Sequence, residues 1–256
     1  MAARPLAIVS AMHEELHALL PLLHEPAVTT IANRRFHSGR LHGQAVVLVL
    51  SGIGKVAAAS TAALLIHEFD ASAIVLTGVA GGLGADVRVG DIVVASQTLQ
   101  HDMDASPIFP RYEVPLTGRS RFDADAALAD VLAASADDCM RDAEAAIGRS
   151  HLQDFGIDSP RVHRGLIVSG DRFVSTAAES RALVQALPDA LAVEMEGAAV
   201  AQVCADFGRP FALMRTISDR ADDDAHADFS RFIAEVASVY TRAVVLDALE
   251  RIAATR

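Results

Sequence analysis

The segment AIVLTGVAGGL, residues 73–83, decides the fold class. Its apolar run has the length of a buried strand, and glycines follow where the chain has to turn sharply. In open α/β sheets, ligands bind at such carboxyl ends of strands. The segment therefore predicts an α/β fold with a ligand site beside the turn, although a plain tight turn would use the same residues.

Similar apolar runs alternate with longer helical patterns along the rest of the chain, which is typical of a largely parallel sheet wrapped by helices. The predicted strands are Leu6–Ala11, Ala45–Leu50, Ala73–Gly78, Asp91–Ser96, Gly165–Ser169, Ala190–Val193 and Phe211–Ser218. The predicted helices are Glu14–Leu23, Lys55–Phe69, Asp125–Ile147, Ala177–Leu187, Glu196–Phe207 and Phe229–Ala254. We therefore expect one α/β domain over residues 1–256.

The composition argues against several classes of protein. The formal net charge is -11 and the 22 Lys and Arg residues form no basic stripe, so we expect no nucleic-acid partner. Cys139 and Cys204 do not form a C-x-x-C pair, which fits a reducing compartment. No run reaches the ~18 apolar residues of a membrane span, and the first apolar stretch leads straight into acidic residues, unlike a signal peptide. These features predict a cytoplasmic protein without a membrane partner.

Residues 13–17, HEELH, match the zinc-protease pattern H-E-x-x-H, in which two histidines bind the metal and the glutamate acts as base. The extended pattern fails, because Leu20 replaces the expected glycine and Leu23 the third histidine. With 10 His and 33 acidic residues in the chain, a chance match is not rare. We interpret these residues as a solvated helix start and expect no metal site.

The glycines in GIGK, residues 52–55, imitate the dinucleotide-binding fingerprint between a strand and a helix. A Rossmann fold would place an acidic residue at the end of the next strand, but that strand runs on to Val79 without one. We therefore expect no NAD and no other cofactor. The glycines instead predict a tight turn that brings backbone close to a smaller ligand.

Three carboxylates each follow a separate predicted strand: Glu15, Glu196 and Asp219. Burying a carboxylate costs several kcal/mol unless it is well partnered. As structural alternatives, Glu15 would be a surface helix acid and Glu196 a helix N-cap or first-turn acid. Asp219 would be a cap or would pair with Arg215 or Arg220. If all three converge on one crevice, they predict acid–base chemistry.

Six segments, taken in order, resemble the signature of the 5′-methylthioadenosine/S-adenosylhomocysteine nucleosidases, which belong to the nucleoside phosphorylase superfamily. They are AIVSAMHEE (7–15), SGIGKVA (51–57), TGVAGGL (77–83) with VGDIVV (89–94), VSGDRFV (168–174), AVEME (192–196) and RTISD (215–219). The resemblance implies a twisted central mixed β-sheet flanked by α-helices and a homodimer. It also implies hydrolysis of the N-ribosidic bond of methylthioadenosine and/or S-adenosylhomocysteine, with release of adenine.

The resemblance implies roles for single residues. Asp219 would donate a proton to adenine N7, Glu15 would activate the attacking water, and Glu196 would hold the ribose diol. These types suit the chemistry, because adenine leaves poorly until it is protonated and water attacks poorly until a base takes its proton. Carboxylate charge also favours an oxocarbenium-like sugar. The residues implied to contact the substrate are Met12, Ile53, Val79, Phe173, Val174, Glu194, Met195, Arg215, Ser218, Phe229 and, across a dimer interface, Ile108.

Two further stretches depart from a minimal fold. Residues 102–121 are Pro-rich and too long for a bare connection, and we expect Asp102–Pro115 to lie in a dimer interface, because Ile108 and Phe109 would be costly to leave in water. Residues 134–161 are longer than in compact relatives, which predicts a surface insertion. Val79 stands where the family commonly has a hydroxyl residue.

Three other functions stay open. A phosphorylase of the same superfamily would need cations and hydroxyls for phosphate, whereas Leu76 and Val79 occupy the corresponding strand end. Another purine nucleosidase, for futalosine or adenosine, would use nearly the same residues. A non-catalytic nucleoside-binding module would keep Phe173 and Glu196 but would need neither Glu15 nor Asp219.

Overall fold

The structure, a computed structural model, describes residues 4–221 and 229–254. Within these residues, eleven strands form one mixed sheet. The strands are β1 Leu6–Ser10, β2 His24–Ile31, β3 Arg34–Leu41, β4 Gln44–Leu50, β5 Ala73–Thr77, β6 Val79–Gly82, β7 Ile92–Gln100, β8 Arg121–Asp123, β9 Val162–Ser169, β10 Ala190–Glu194 and β11 Phe211–Asp219.

Strand β11 joins two parts of the sheet. The strand order is β2-β3-β4-β1-β5-β11-β6-β10-β9-β7-β8, and β11 also pairs with β7. Strands β6, β10, β9, β7 and β11 therefore close into a ring, while β2, β3, β4, β1 and β5 form an open arm. The first residues of β11, 211–213, pair with β5, and its last residues, 216–219, pair with β6. The ring and the arm thus meet along β11.

Helices flank the sheet, so the predicted α/β class with a mixed sheet is confirmed. Helices α2 and α7 share one hydrophobic cluster, and α3 and α9 share another. The helices are α1 His13–Leu19, α2 Lys55–Phe69, α3 Ala126–Arg141, α4 Ala143–Ile147, α5 Arg149–Asp154, α6 Ala177–Ala186, α7 Gly197–Asp206, α8 Phe229–Phe232 and α9 Ser238–Ala254, with a 3-10 turn at Leu20–Leu22 and a π-helical turn at Ile233–Ala237.

Two helix starts show how local sequence fixes these elements. At α3, the side chain of Asp125 accepts a hydrogen bond from the Leu128 N–H at 2.9 Å, an N-cap that contributes about 1 kcal/mol. At α2, the residue before the helix is Gly54, which has no side chain to cap with. The carboxylate of Asp171 accepts from the Lys55 N–H at 2.7 Å instead, so α2 is tied to the chain that follows β9.

The structure corrects several predicted elements. The sequence patterns do not predict β2, β3, β6 or β8, because β2 is exposed along nearly its whole length and β6 and β8 are very short. The predicted single helix Asp125–Ile147 is wrong, since α3 ends at Arg141 and α4 begins after Asp142. The first helix ends at Leu19, because Pro21 begins a tighter turn.

Residues 134–161 are more than a surface addition. Cys139, Leu152 and Ile157 are buried in the cluster that α3 and α9 share. Burial raises the pKa of the thiols of Cys139 and Cys204 to about 12, so both stay protonated and unreactive at neutral pH. No helix in the described part of the chain has both the length and the apolar character that crossing a membrane requires.

Candidate active site

A pocket of about 170 Å³ lies against β6, β10 and β11, where the ring of the sheet meets its arm. Five of its lining residues were not predicted as site residues: Ala11, Ala80, Gly81, Arg172 and Val193. Gly81 lies in the predicted glycine turn, and each of the other four adjoins a predicted site residue. The predicted residues that line it are Met12, Ile53, Val79, Phe173, Val174, Glu194, Met195, Glu196, Arg215, Ser218, Asp219 and Phe229.

Arg215 is fully buried at the base of the pocket, between two carboxylates. Its guanidinium donates to Glu194, to Glu196 Oε2 at 3.1 Å and to the Thr77 carbonyl at 3.2 Å. Gly78 leaves the space for it, because a Cβ at that position would lie 1.7 Å from Arg215 Nη1. Two carboxylates against one guanidinium leave this cluster with a net negative charge, which suits a ligand that becomes cationic.

The carboxylate of Glu194 is hydrogen-bonded to groups of the protein itself. It accepts hydrogen bonds from the Ser169 hydroxyl, from Arg215, from the Gly197 N–H at 2.9 Å and from the Glu196 N–H at 3.1 Å. These donors fix the start of α7 and the position of the guanidinium. Glu194 therefore lines the pocket as a support for Arg215. Ser169, which the sequence reasoning missed, is signalled by a lone hydroxyl at the end of an apolar strand.

Glu196 occupies the N-cap position of α7, but its side chain does not cap the helix, so the cap alternative is wrong. Its Oε1 accepts from the Gly54 N–H at 2.8 Å, and its Oε2 from Arg215. Burial raises the pKa of Glu196, and Arg215 offsets part of that rise. Gly54 has a φ of +94°, a backbone conformation that favours glycine. The predicted glycine turn thus brings backbone to the edge of the pocket.

Glu15 is fully buried in the first turn of α1, so both its interpretation as a surface acid and that of a wholly solvated helix start are wrong. Burial raises its pKa from 4.5 to about 7, although Arg215 and the backbone of Met12 oppose the change. Neither carboxyl oxygen makes a well-formed hydrogen bond within the described part of the chain. Glu15 does not line the pocket, but it is close enough to Arg215 and Glu196 to be influenced by both charges.

Asp219 ends β11 and is 8% exposed. Its Oδ2 accepts from the Ser218 hydroxyl and its Oδ1 from the Ala221 N–H, both at 2.7 Å. The opposite wall is Gly81, where a Cβ would lie 3.0 Å from Asp219 Oδ1. The carboxyl group is therefore held in one orientation at the pocket surface.

Two aromatic rings form the apolar side of the pocket. Phe173 and Phe229 meet edge to face with their ring centroids 6.4 Å apart, and Phe173 remains 42% exposed. The chain before Phe173 is anchored, because the Asp171 N–H donates to Asp102 Oδ2 at 2.9 Å. An exposed ring opposite buried carboxylates suits a ligand with a flat apolar part and a polar, hydroxyl-bearing part.

Comparison with known proteins identifies the family of this chain. The sequence profile of the Phosphorylase superfamily matches residues 5–250. The chain is 32% identical to a 5′-methylthioadenosine/S-adenosylhomocysteine nucleosidase from Neisseria meningitidis, solved with methylthio-immucillin-A, with a TM-score of 0.83 and coverage of 97% of this chain and 100% of that one. The chain is also 33% identical to a nucleosidase of the same kind from Colwellia psychrerythraea, solved in complex with adenine. For this pair the TM-score is 0.83, and the match covers 97% of this chain and 96% of that one.

The chain belongs to the methylthioadenosine/S-adenosylhomocysteine nucleosidase family. It is therefore an N-glycosidic hydrolase that acts on nucleosides. A futalosine hydrolase mutant from Helicobacter pylori is also similar, at 28% identity, a TM-score of 0.82 and coverage of 97% of this chain and 100% of that one. The reaction class is thus shared among these relatives, whereas their substrates differ.

Two features of this nucleosidase stand apart from its pocket. Ile108, predicted to contact substrate, is 82% exposed on the Pro-rich stretch and does not line the pocket of its own chain. His13 and His17 are exposed at α1, with their ring centroids 6.1 Å apart. Within residues 4–221 and 229–254, no three His, Cys, Asp or Glu side chains are grouped to hold a metal ion.

Proposed function

We propose that the enzyme hydrolyses the N-ribosidic bond of 5′-methylthioadenosine and/or S-adenosylhomocysteine and releases adenine. One observation carries this proposal: Glu196, just after β10, and Asp219, at the end of β11, line one pocket whose other side is aromatic. The relatives support it, since one was solved with a methylthio inhibitor and another with adenine.

The purine lies against Phe173, and the backbone of Val174 contacts the edge of the base. An exposed aromatic face stacks on a flat heterocycle and contributes on the order of 1 kcal/mol beyond burial. Asp219 stands beside the base and donates its proton to N7 as the glycosidic bond lengthens. Protonation lets adenine leave as a neutral molecule rather than as an anion.

The ribose diol lies against Glu196. Each carboxylate oxygen has two lone pairs, so both oxygens can accept from the diol in addition to Gly54 and Arg215. As positive charge develops on the sugar, the negative charge of this cluster stabilises it. Met12, Ile53 and Phe229 supply the apolar wall for the 5′ substituent.

The attacking water is activated by Glu15. A carboxyl with a pKa of about 7 is a suitable general base near neutral pH, because it is ionised in a large fraction of molecules and still binds a proton well. The water oxygen bonds to C1′ and gives its proton to Glu15, while the electrons of the broken C1′–N9 bond pass to the protonated purine. Unprotonated Glu15 thus starts each cycle.

Hydrolysis of a different purine nucleoside is the second candidate, favoured by the similarity to the futalosine hydrolase. An assay of free purine tests both, by detecting adenine or hypoxanthine released from methylthioadenosine, S-adenosylhomocysteine, adenosine, futalosine and inosine, each with and without phosphate. We expect rapid, phosphate-independent release from the first two. Preference for futalosine would select the second candidate, and strict dependence on phosphate would contradict both.

We further propose a homodimer in which residues 102–115 of one subunit close the pocket of the other. Ile108, at 82% exposure, and Ile53, at 62% on the pocket rim, would otherwise keep apolar surface in water. Ile108→Ser should weaken the dimer and raise KM, whereas Val28→Ser, half-exposed on β2, should change neither. Full activity from a monomer at micromolar concentration would refute the interface.

A further inference from the structure

A second cavity, of about 570 Å³, lies between α1, the turn that joins β2 to β3, and the start of α2. Basic side chains dominate its polar lining: His13, His17, Arg34, Arg35 and His37. No carboxylate lines it in the described part of the chain. In a protein with a net charge of -11, such a surface is a local positive site and attracts anions.

Arg34 is held in place without being neutralised. Its guanidinium donates to three backbone carbonyls, those of Ala32 at 3.0 Å, Ala57 at 3.3 Å and Ser51 at 3.4 Å. Three of its five N–H groups are used in this way, which leaves two donors and a full positive charge. By contrast, Arg40 on the same strand lies 3.7 Å from the carboxylate of Glu25. Arg34 is therefore preorganised for an anion that the described part of the chain does not supply.

The arginines give this cavity a positive charge that does not depend on pH near neutrality. Burial lowers the pKa of His37, and the neighbouring Arg35 lowers it further, so His37 is uncharged there. Arg35 is exposed and free to turn toward a bound group. A planar guanidinium matches a carboxylate better than a hydrated ammonium does.

The cavity shares a wall with the active site. Met12 and Ile53 line the active-site pocket, while the adjacent residues His13 and Gly52 line the second cavity. The hydrogen bond from Gly54 to Glu196 places the ribose end of the pocket beside the same glycine turn. A substituent that leaves the ribose past Met12 and Ile53 is therefore directed toward the basic lining.

We propose that this second cavity binds a carboxylate at the end of the 5′ substituent of the nucleoside, with Arg34 and Arg35 as the residues that select it. The inference rests on the proposed function and refines it. A methylthio group offers no charge to the cavity, whereas the amino-acid tail of S-adenosylhomocysteine ends in a carboxylate. The enzyme should therefore favour nucleosides whose 5′ substituent carries a carboxylate.

The test compares S-adenosylhomocysteine with its decarboxylated analogue, 5′-(3-aminopropylthio)adenosine, which differs only in the carboxylate. For the parent enzyme, kcat/KM should be higher for the acid. Arg34→Gln and Arg35→Gln should each raise KM for the acid, by roughly tenfold for Arg34, and should leave the analogue and methylthioadenosine nearly unchanged. Arg40→Gln is the matched control and should change none of the three.

Methylthioadenosine turnover reports whether each variant is folded and whether the proposed function holds. If the parent cleaves methylthioadenosine but handles the acid and the analogue alike, the inference is overturned and the proposed function stands. Equal losses on all three nucleosides in Arg35→Gln, an exposed residue that supports no loop, would also overturn it. Failure of the parent to cleave any of the nucleosides would contradict the proposed function itself.

Discussion

Replacement of Glu15 by glutamine should make the enzyme slower but more stable at pH 8. In the unfolded chain Glu15 ionises near pH 4.5, whereas in the folded protein it ionises only near pH 7. Because the folded-state pKa is raised, the folded state loses stability as the pH rises through this window, by about 3 kcal/mol in full. Glutamine cannot ionise, so the variant escapes that loss. As the general base is gone, kcat should fall on the order of 10²-fold or more.

The assay is urea unfolding of the parent and Glu15→Gln at pH 5 and pH 8. We expect the stability difference to favour the variant by about 3 kcal/mol at pH 8 and by only about 1 kcal/mol at pH 5. Glu14→Gln, the exposed neighbour in the same helix turn, should show no such pH-dependent gain. A difference that is the same at both pH values, or a variant that is less stable at pH 8, would show that Glu15 is not a buried group with a raised pKa.

Three further variants or conditions test other parts of the site. Glu196→Gln should raise KM and lower kcat together, because a ribose contact forms in the ground state and strengthens as the sugar becomes cationic; an effect on kcat alone would argue against that contact. Gly78→Ala should destabilise the protein by about 2–3 kcal/mol, since its Cβ would collide with the buried Arg215. Gly118→Ala, which has open space around it but a φ of +66°, should cost only the backbone strain of about 1 kcal/mol and should stay active in the same thermal and activity assays. Activity should survive both phosphate-free buffer and chelators, and loss on chelation with stoichiometric zinc would revive His13 and His17 as ligands.

The sequence predicts much of the pocket because its residues follow recognisable strands. The end of β5 and the glycines after it, the end of β10 and the end of β11 all lie within predicted segments, and twelve predicted residues share one pocket. The hairpin of β2 and β3 was not predicted, because neither strand has an apolar run or a clear alternation of apolar and polar residues. β2 is exposed along nearly its whole length, and β3 fully buries only Phe36 and Leu41.

The carboxylates Glu15, Glu196 and Asp219 were expected to converge because each follows a separate strand. The structure brings the acidic residues together in a different way. β10 runs antiparallel to β6, and β6 runs parallel to β11, so Val193 is level with Asp219 and the chain that leaves β10 runs back along β11 toward Arg215. Glu194 and Glu196 therefore meet Arg215, not Asp219. Strand direction in a mixed sheet depends on contacts between distant segments, which a single sequence does not reveal.

The burial of Glu15 could have been predicted from the sequence. Leu16 and Leu19 are buried on the same face of α1, and Glu15 lies four residues before Leu19, on that face. The helical phase therefore separates Glu15 from the exposed Glu14. The general preference for solvated acids at a helix start obscures this signal.

The central claim is that Asp219 supplies the proton that frees the purine. The direct measurement is kcat for methylthioadenosine, together with its dissociation constant, for the parent and Asp219→Asn in phosphate-free buffer. Asparagine keeps the shape of the side chain and cannot donate that proton, so kcat should fall on the order of 10²-fold or more while the dissociation constant changes little. Turnover of Asp219→Asn near the parent rate would show that Asp219 only holds the end of β11 in place, and the mechanism would be wrong.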